Sequence, residues 1–133
     1  MSNEIIKNTE NGMQIAGIDL STYAGALQIT SALNVAASLD KTIADGQAFE
    51  FVGCIFKDGV NDRTGEACKE TYFIQRDGAA LFTKSDGIYQ TAQNILGLLG
   101  QWLADGLWVK IVSQPTGNGN TIKLLEPIAP PAQ

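Results

Sequence analysis

The chain contains no histidine. That absence removes the commonest general base, the usual partner of a nucleophilic serine or cysteine, and a principal zinc ligand. Cysteine is nearly as scarce. Cys54 and Cys68 stand fourteen positions apart, neither a disulfide framework nor a metal-ligand cluster, so both read as structural thiols. Positive charge is also short: 9 basic residues against 14 acidic ones give a formal net charge of −5. A surface with that balance does not coat nucleic acid as a whole, because phosphate contacts need lysine and arginine; a local basic stripe remains open to it. No run of about 18 or more apolar residues is present, so no segment is expected to span a bilayer. The opening MSNEIIKNTENG lacks the basic, apolar, small-residue order of a secretory signal, and the expected compartment is the cytoplasm. No Gly-rich phosphate loop, paired-carboxylate motif or metal-ligand spacing stands out, so neither catalysis nor a cofactor is expected. Asp58, Asp62 and Glu66 share one polar stretch, which reads as a solvated acidic loop ahead of a divalent-cation site.

What remains is a chain of 133 residues, 44% hydrophobic and 17% charged, enough for one domain with a core of its own. Ala26 to Val35 fits two descriptions. Leu27, Ile29, Leu33 and Val35 share a parity, as in a half-buried strand, while the alanines of the wider stretch Tyr23 to Leu39 suit a helix. FEFVGCIFK, from Phe49 to Lys57, lies between Asp45-Gly46 and Asp58-Gly59 and reads as a strand. Asp58 to Glu70 then reads as a long loop. Ser85 offers an N-cap to a helix whose Ile88, Ala92, Ile95, Leu96 and Leu99 recur on one stripe up to Gly100. Leu107 to Gln114 and Asn120 to Glu126 complete the strands, and PIAPPAQ reads as a proline-rich tail.

Between the first of these strands and the helix, Thr71 to Arg76 and Ala79 to Thr83 flank Asp77-Gly78, a pair that favours a two-residue type I′ hairpin. Counting outward pairs Phe73 with Phe82, Tyr72 with Thr83 and Thr71 with Lys84. One face then carries Tyr72, Ile74, Ala79 and Leu81; the other carries Thr71, Phe73, Gln75, Ala80, Phe82 and Lys84. Two rings opposed inside a polar frame are the pattern of a base-stacking platform, and the competing expectation is that Phe73 and Phe82 pack beneath a neighbouring segment. Lys57, Arg63, Lys69 and Lys123 are candidate phosphate contacts beside Lys84. Trp108 alternates with Lys110 on one face of its strand, and both join the candidates, with Tyr89 a further ring able to stack. Trp102 is expected to cover the end of the fold.

The order strand, loop, strand, tight turn, strand, helix, strand, loop, strand is that of a mainly β, five-stranded OB-type Greek-key barrel with its helix between strands 3 and 4. Residues 1–45 form an N-terminal extension with a strand or helix packed on the barrel, 46–126 the barrel, and 127–133 a flexible tail. At this point ITSALNVAASLDKTIADGQ, FEFVGCIF, YFIQRDGAALFTKSDGIYQTAQNIL and LWVKIVSQPTGNGNTIKLLEP together make the chain resemble the single-stranded DNA-binding proteins of phages and mobile plasmids of Gram-positive bacteria. The resemblance implies a replication accessory protein that protects transient single strands, with no cofactor and no enzymatic activity. Its ligand would be single-stranded DNA, with RNA as the alternative polynucleotide. A homo-oligomer built on the apolar Ala24 to Leu39 region and replication proteins are further candidate partners, although PIAPPAQ is no acidic recruiting tail. The rival reading is a protein-interaction or virion-structural module that uses the same aromatic face.

Overall fold

The computed structural model describes residues 6–8, 12–19, 21–60, 63–117, 119 and 121–130. In chain order the elements are β1 (Ile6–Asn8), β2 (Gln14–Ala16), α1 (Tyr23–Val35), β3 (Ala37–Ser38), α2 (Leu39–Thr42), β4 (Ala48–Phe51), β5 (Gly53–Val60), β6 (Ala67–Ile74), β7 (Ala80–Thr83), α3 (Asp86–Leu99), a 3₁₀ turn (Gly100–Asp105), β8 (Leu107–Pro115) and β9 (Thr121–Pro127). The strands make two sheets, β1-β2-β5-β6-β7-β3 and β4-β8-β9. The architecture is mainly β.

FEFVGCIFK, expected as one strand, is two. β4 pairs with β8 and β5 with β6, and the chain changes sheets at Val52, whose N–H still reaches Ile74 O at 2.8 Å. The break therefore leaves that donor satisfied. Phe49 and Phe51 point inward from β4 and meet Phe73 of β6 with ring centroids 5.6 and 5.0 Å apart, both edge to face. Leu81, Ile88, Ala92, Leu96, Val109, Ile111 and Leu125 complete the core around them. Among the described residues no pairing joins β7 to β9, so the strands do not close into a barrel. On that side α3 packs on β9, and Thr91 Oγ1 accepts the Leu125 N–H at 2.9 Å.

The helix reading of the N-terminal region prevails. Thr22 caps α1 by accepting the Gly25 N–H at 3.0 Å, and Gly25, Ile29 and Ala32 turn to one side at helical spacing. Ile29 and Ala32 cover the outer face of β5, β6 and β7 in a second cluster with Ile15, Ile55, Tyr72, Ile74 and Ala80. Tyr23, Leu27 and Val35 stay exposed. α3 begins as its sequence indicates, with Ser85 Oγ accepting from Ile88 N at 3.2 Å.

Three boundaries differ from expectation. The stretch 58–70 is mostly strand: β5 runs through Asp58-Gly59 to Val60 and β6 begins at Ala67, because cross-strand pairing overrides the local turn signal. Pro127 belongs to β9 rather than to a tail, and the Ile128 N–H bonds to Trp108 O at 2.9 Å. Proline is tolerated there because β9 is an edge strand. Residues 131–133 lie outside the described residues.

The β6–β7 hairpin carries the largest correction. Its register pairs Thr71 with Thr83, Tyr72 with Phe82, Phe73 with Leu81 and Ile74 with Ala80. This is one residue away from the two-residue turn. The loop holds three residues, Arg76 to Gly78, closed by Gly78 N to Gln75 O at 2.9 Å and Gln75 N to Ala79 O at 2.8 Å. Gly78 takes φ of 90°, the left-handed residue that follows a type I turn, and Asp77 Oδ1 accepts from Ala79 N at 3.0 Å. A one-residue slip exchanges faces. Phe73 therefore points into the core while Phe82 points outward beside Tyr72, and the opposed-ring platform does not form. Two substitutions test this packing by urea unfolding. Phe73→Ala is expected to cost about 3–5 kcal/mol, and Gly78→Ala to cost about 1 kcal/mol or more through backbone strain.

Candidate nucleic-acid interface

β5 and β6 pair over eight residues each, whereas β7 pairs with only four residues of β6. The remaining residues of the β5–β6 hairpin, Lys57 to Val60 and Ala67 to Glu70, extend beyond β7 as an arm. Alternation sends Lys57, Glu70 and, after β7, Lys84 to the outer face, in line with Ile55, Tyr72 and Phe82. Lys69 and Asp58 fall on the opposite face, in line with Phe56.

On the outer face Tyr72 and Phe82 stack with centroids 5.6 Å apart and planes 24° from parallel. Tyr72 is buried and Phe82 is half-buried at the margin of the cluster beneath α1. The Tyr72 hydroxyl donates to Glu70 Oε1 at 3.2 Å. Glu70 also faces two ammonium groups, Lys57 Nζ at 3.5 Å and Lys84 Nζ at 3.8 Å, and Lys84 Nζ donates to Val60 O at 2.9 Å. On the other face Lys69 is paired with Asp58, which holds its ammonium above the usual lysine range, and lies 5.9 Å from the Tyr89 ring centre. Tyr89 in turn meets Phe56 edge to face at 5.4 Å. Gly12, Gln14, Phe56, Lys57, Asp58, Lys69 and Tyr89 line a small cleft there.

The remaining sequence candidates separate. Thr71 and Phe73 are fully buried, so neither side chain presents a surface to a polymer; Thr71 Oγ1 has no hydrogen-bond partner. Arg63 is exposed in the loop between β5 and β6, and Asp62 lies outside the described residues. Lys123 is held by Asp40 at 3.3 Å and Asp45 at 3.7 Å. Lys110 lies on the outer face of the second sheet, opposite Ala48 and Glu126. No group of three histidine, cysteine, aspartate or glutamate side chains among the described residues could hold a metal ion. The Cys54 thiol is fully buried and pushed well above the ordinary thiol range by burial, so it is no nucleophile.

Sequence reasoning missed a groove of about 760 Å³ whose lining includes Trp102, Trp108, Arg76, Leu99, Ile128 and Pro130. Trp102 is 48% exposed. Arg76 is fixed at its rim, with Nη2 2.8 Å from Glu50 Oε2 and 2.8 Å from Asp105 O, and this contact draws the Glu50 carboxyl below its usual range. Gln75 shares an adjoining depression with Arg76 and Trp108. The signal available in the sequence was the pair of tryptophans flanking Asp105-Gly106, but it does not reveal that the chain reverses there.

Burial, reinforced by the Glu70 carboxylate, pushes the Tyr72 phenol up to about 12. A tyrosine free in the unfolded chain titrates near 10. The folded state therefore holds this proton more tightly, a contribution present in full below about pH 10 and lost as pH rises toward 12. Thermal melts across that window are expected to show a falling melting temperature, and Tyr72→Phe should remove part of the fall.

Residues 8–126 match the family described as phage single-stranded DNA-binding protein. A relative, the single-stranded DNA-binding protein of Bacillus phage B103, is 28% identical over 107 residues, covering 79% of this chain and 88% of that protein. No solved structure matches the chain. With most of its length matched, the chain belongs to the phage single-stranded DNA-binding protein family.

Proposed function

We propose that this protein binds single-stranded DNA on the β5–β6 arm and the adjoining edge of β7, protecting exposed strands during phage replication by binding alone. The observation that carries this reading is that lysines and half-buried rings flank the arm on both faces, Lys57 and Lys84 with Phe82 on the outer face and Lys69 with Tyr89 on the other. Stacking on such rings contributes about 1–3 kcal/mol per base and tolerates any sequence. The lysines supply the phosphate contacts. Family membership and the B103 relative support the choice of single-stranded DNA over a protein partner.

The order of the strands supports an OB-type assignment for the fold. β4 and β5 act as one bent first strand, β6 and β7 follow, α3 intervenes, and β8 and β9 return to β4. That fold uses the face of its second and third strands and the loop between its first two. Here these are β6, β7 and the arm tip with Arg63. No helix among the described residues is long and apolar enough to cross a membrane.

The groove around Trp102 and Trp108 offers a second route for bases, because Trp102 is more exposed than either ring beside the arm. Fluorescence distinguishes the two, since these are the chain's two tryptophans and both line that groove. Titration with an oligo-dT of about 30 nucleotides is expected to leave tryptophan emission nearly unchanged while Lys57→Ala and Lys69→Ala weaken binding; strong quenching places the strand in the groove instead. Affinity should fall linearly in log salt, with a slope near −0.7 for each phosphate neutralised. Absence of binding at low salt sinks the reading altogether.

A further inference from the structure

The arm's outer face contains an unusual arrangement for a protein that must neutralise phosphate: its two lysines are already occupied by an acid of the same chain. Glu70 is 13% exposed, and it sits between Lys57 Nζ and Lys84 Nζ at 3.5 and 3.8 Å while accepting the Tyr72 hydroxyl at 3.2 Å. Two ammonium groups and a hydroxyl converging on one singly charged oxyanion are also what a phosphodiester requires.

The space for that carboxylate comes from the neighbouring strand. A Cβ built at Gly59 falls 2.7 Å from Glu70 Cγ and closer still to its carboxylate. Gly59 shares the outer face of β5 with Lys57, two residues before it, and its missing side chain is what lets Glu70 fold down over the lysines. The obstruction such a Cβ would meet is the end of a flexible side chain, so Glu70 can swing out to solvent without moving the backbone.

We infer that Lys57, Lys84 and the Tyr72 hydroxyl form a phosphodiester-binding cradle that Glu70 fills as a resident anion, and that DNA must displace Glu70 to dock there. This rests on the single-stranded DNA reading and adds to it a site of stated composition and a built-in competitor. The exchange conserves charge: one monoanion leaves the cradle and one monoanion enters. Its consequence is that the wild-type protein binds more weakly than its lysines allow, so that only a ligand offering several phosphates and stacking bases together displaces the carboxylate.

Fluorescence anisotropy with labelled oligo-dT tests the exchange in four full-length proteins: wild type, Glu70→Gln, Gly59→Ala and Glu126→Gln. The first variant removes the resident charge, and the second keeps the charge but drives it out of the cradle. The third removes an equal charge from an exposed position on β9, outside the arm. Glu70→Gln and Gly59→Ala are each expected to bind about tenfold more tightly, and Glu126→Gln less than twofold. Melting curves establish which variants are folded, and either of the first two suffices if the other is not. A folded Glu70→Gln or Gly59→Ala protein that binds no more tightly than Glu126→Gln overturns the cradle, as does weaker binding by either. These outcomes stand apart from failure of the functional reading, which is loss of oligo-dT binding by wild type.

Discussion

The fold depends on three phenylalanine rings. Phe49 and Phe51 belong to the strand that starts in the second sheet, Phe73 to a strand of the first, and their edge-to-face contacts fasten the sheets across the bend at Val52. Rings of this size dominate the apolar area a small domain can bury, and their preferred tilted geometry fixes an angle between the sheets as well as a distance. The one-residue register of the β6–β7 hairpin follows from the same constraint. With Phe73 opposite Leu81 the core receives both side chains; the alternative register would place Phe73 and Phe82 on one face and leave Leu81 on the other.

The charge distribution reconciles a net charge of −5 with a DNA-binding family. Lysines on and beside the arm lie close to acids: Lys57 and Lys84 to Glu70, and Lys69 to Asp58. The exposed Lys69–Asp58 pair contributes about 0–1 kcal/mol to stability, and the partly buried Glu70 meets its lysines only at 3.5 and 3.8 Å, so these pairs are poor candidates for structural cement. They set the surface potential instead, muting the arm toward distant polyanions while leaving its cations within reach of a strand that makes close contact.

Much of the fold was legible in the sequence, and the misses have physical causes. α3 announced itself through Ser85 and its apolar stripe because both are local features, and the strands at Leu107 and Thr121 had clear turns between them. The hairpin register failed because Asp77-Gly78 serves a two-residue and a three-residue loop equally well locally, and the choice is made by burial of Phe73 far from the turn. The length of the arm was hidden because Asp58-Gly59 resembles a turn, whereas Gly59 is there for close approach by Glu70. Of the proposed contact residues, Lys57, Lys84 and Phe82 share the outer face, Lys69 lies on the opposite face of the arm, and Thr71 and Phe73 are buried. The tryptophan groove required knowledge of a chain reversal that no periodicity reports.

The bent strand also governs the order in which the chain can mature. β4 pairs with β8, a segment about sixty residues further along, so its hydrogen-bonding partner does not exist while the first half of the protein is being synthesised. At elongation rates of about 5–20 residues per second that interval lasts several seconds. During it Phe49 and Phe51 lie on a strand whose partner edge is open, the kind of apolar, unpaired segment that associates with copies of itself. A message truncated before Leu107 would make that state permanent, yielding a chain destined for aggregation or proteolysis rather than a smaller working domain.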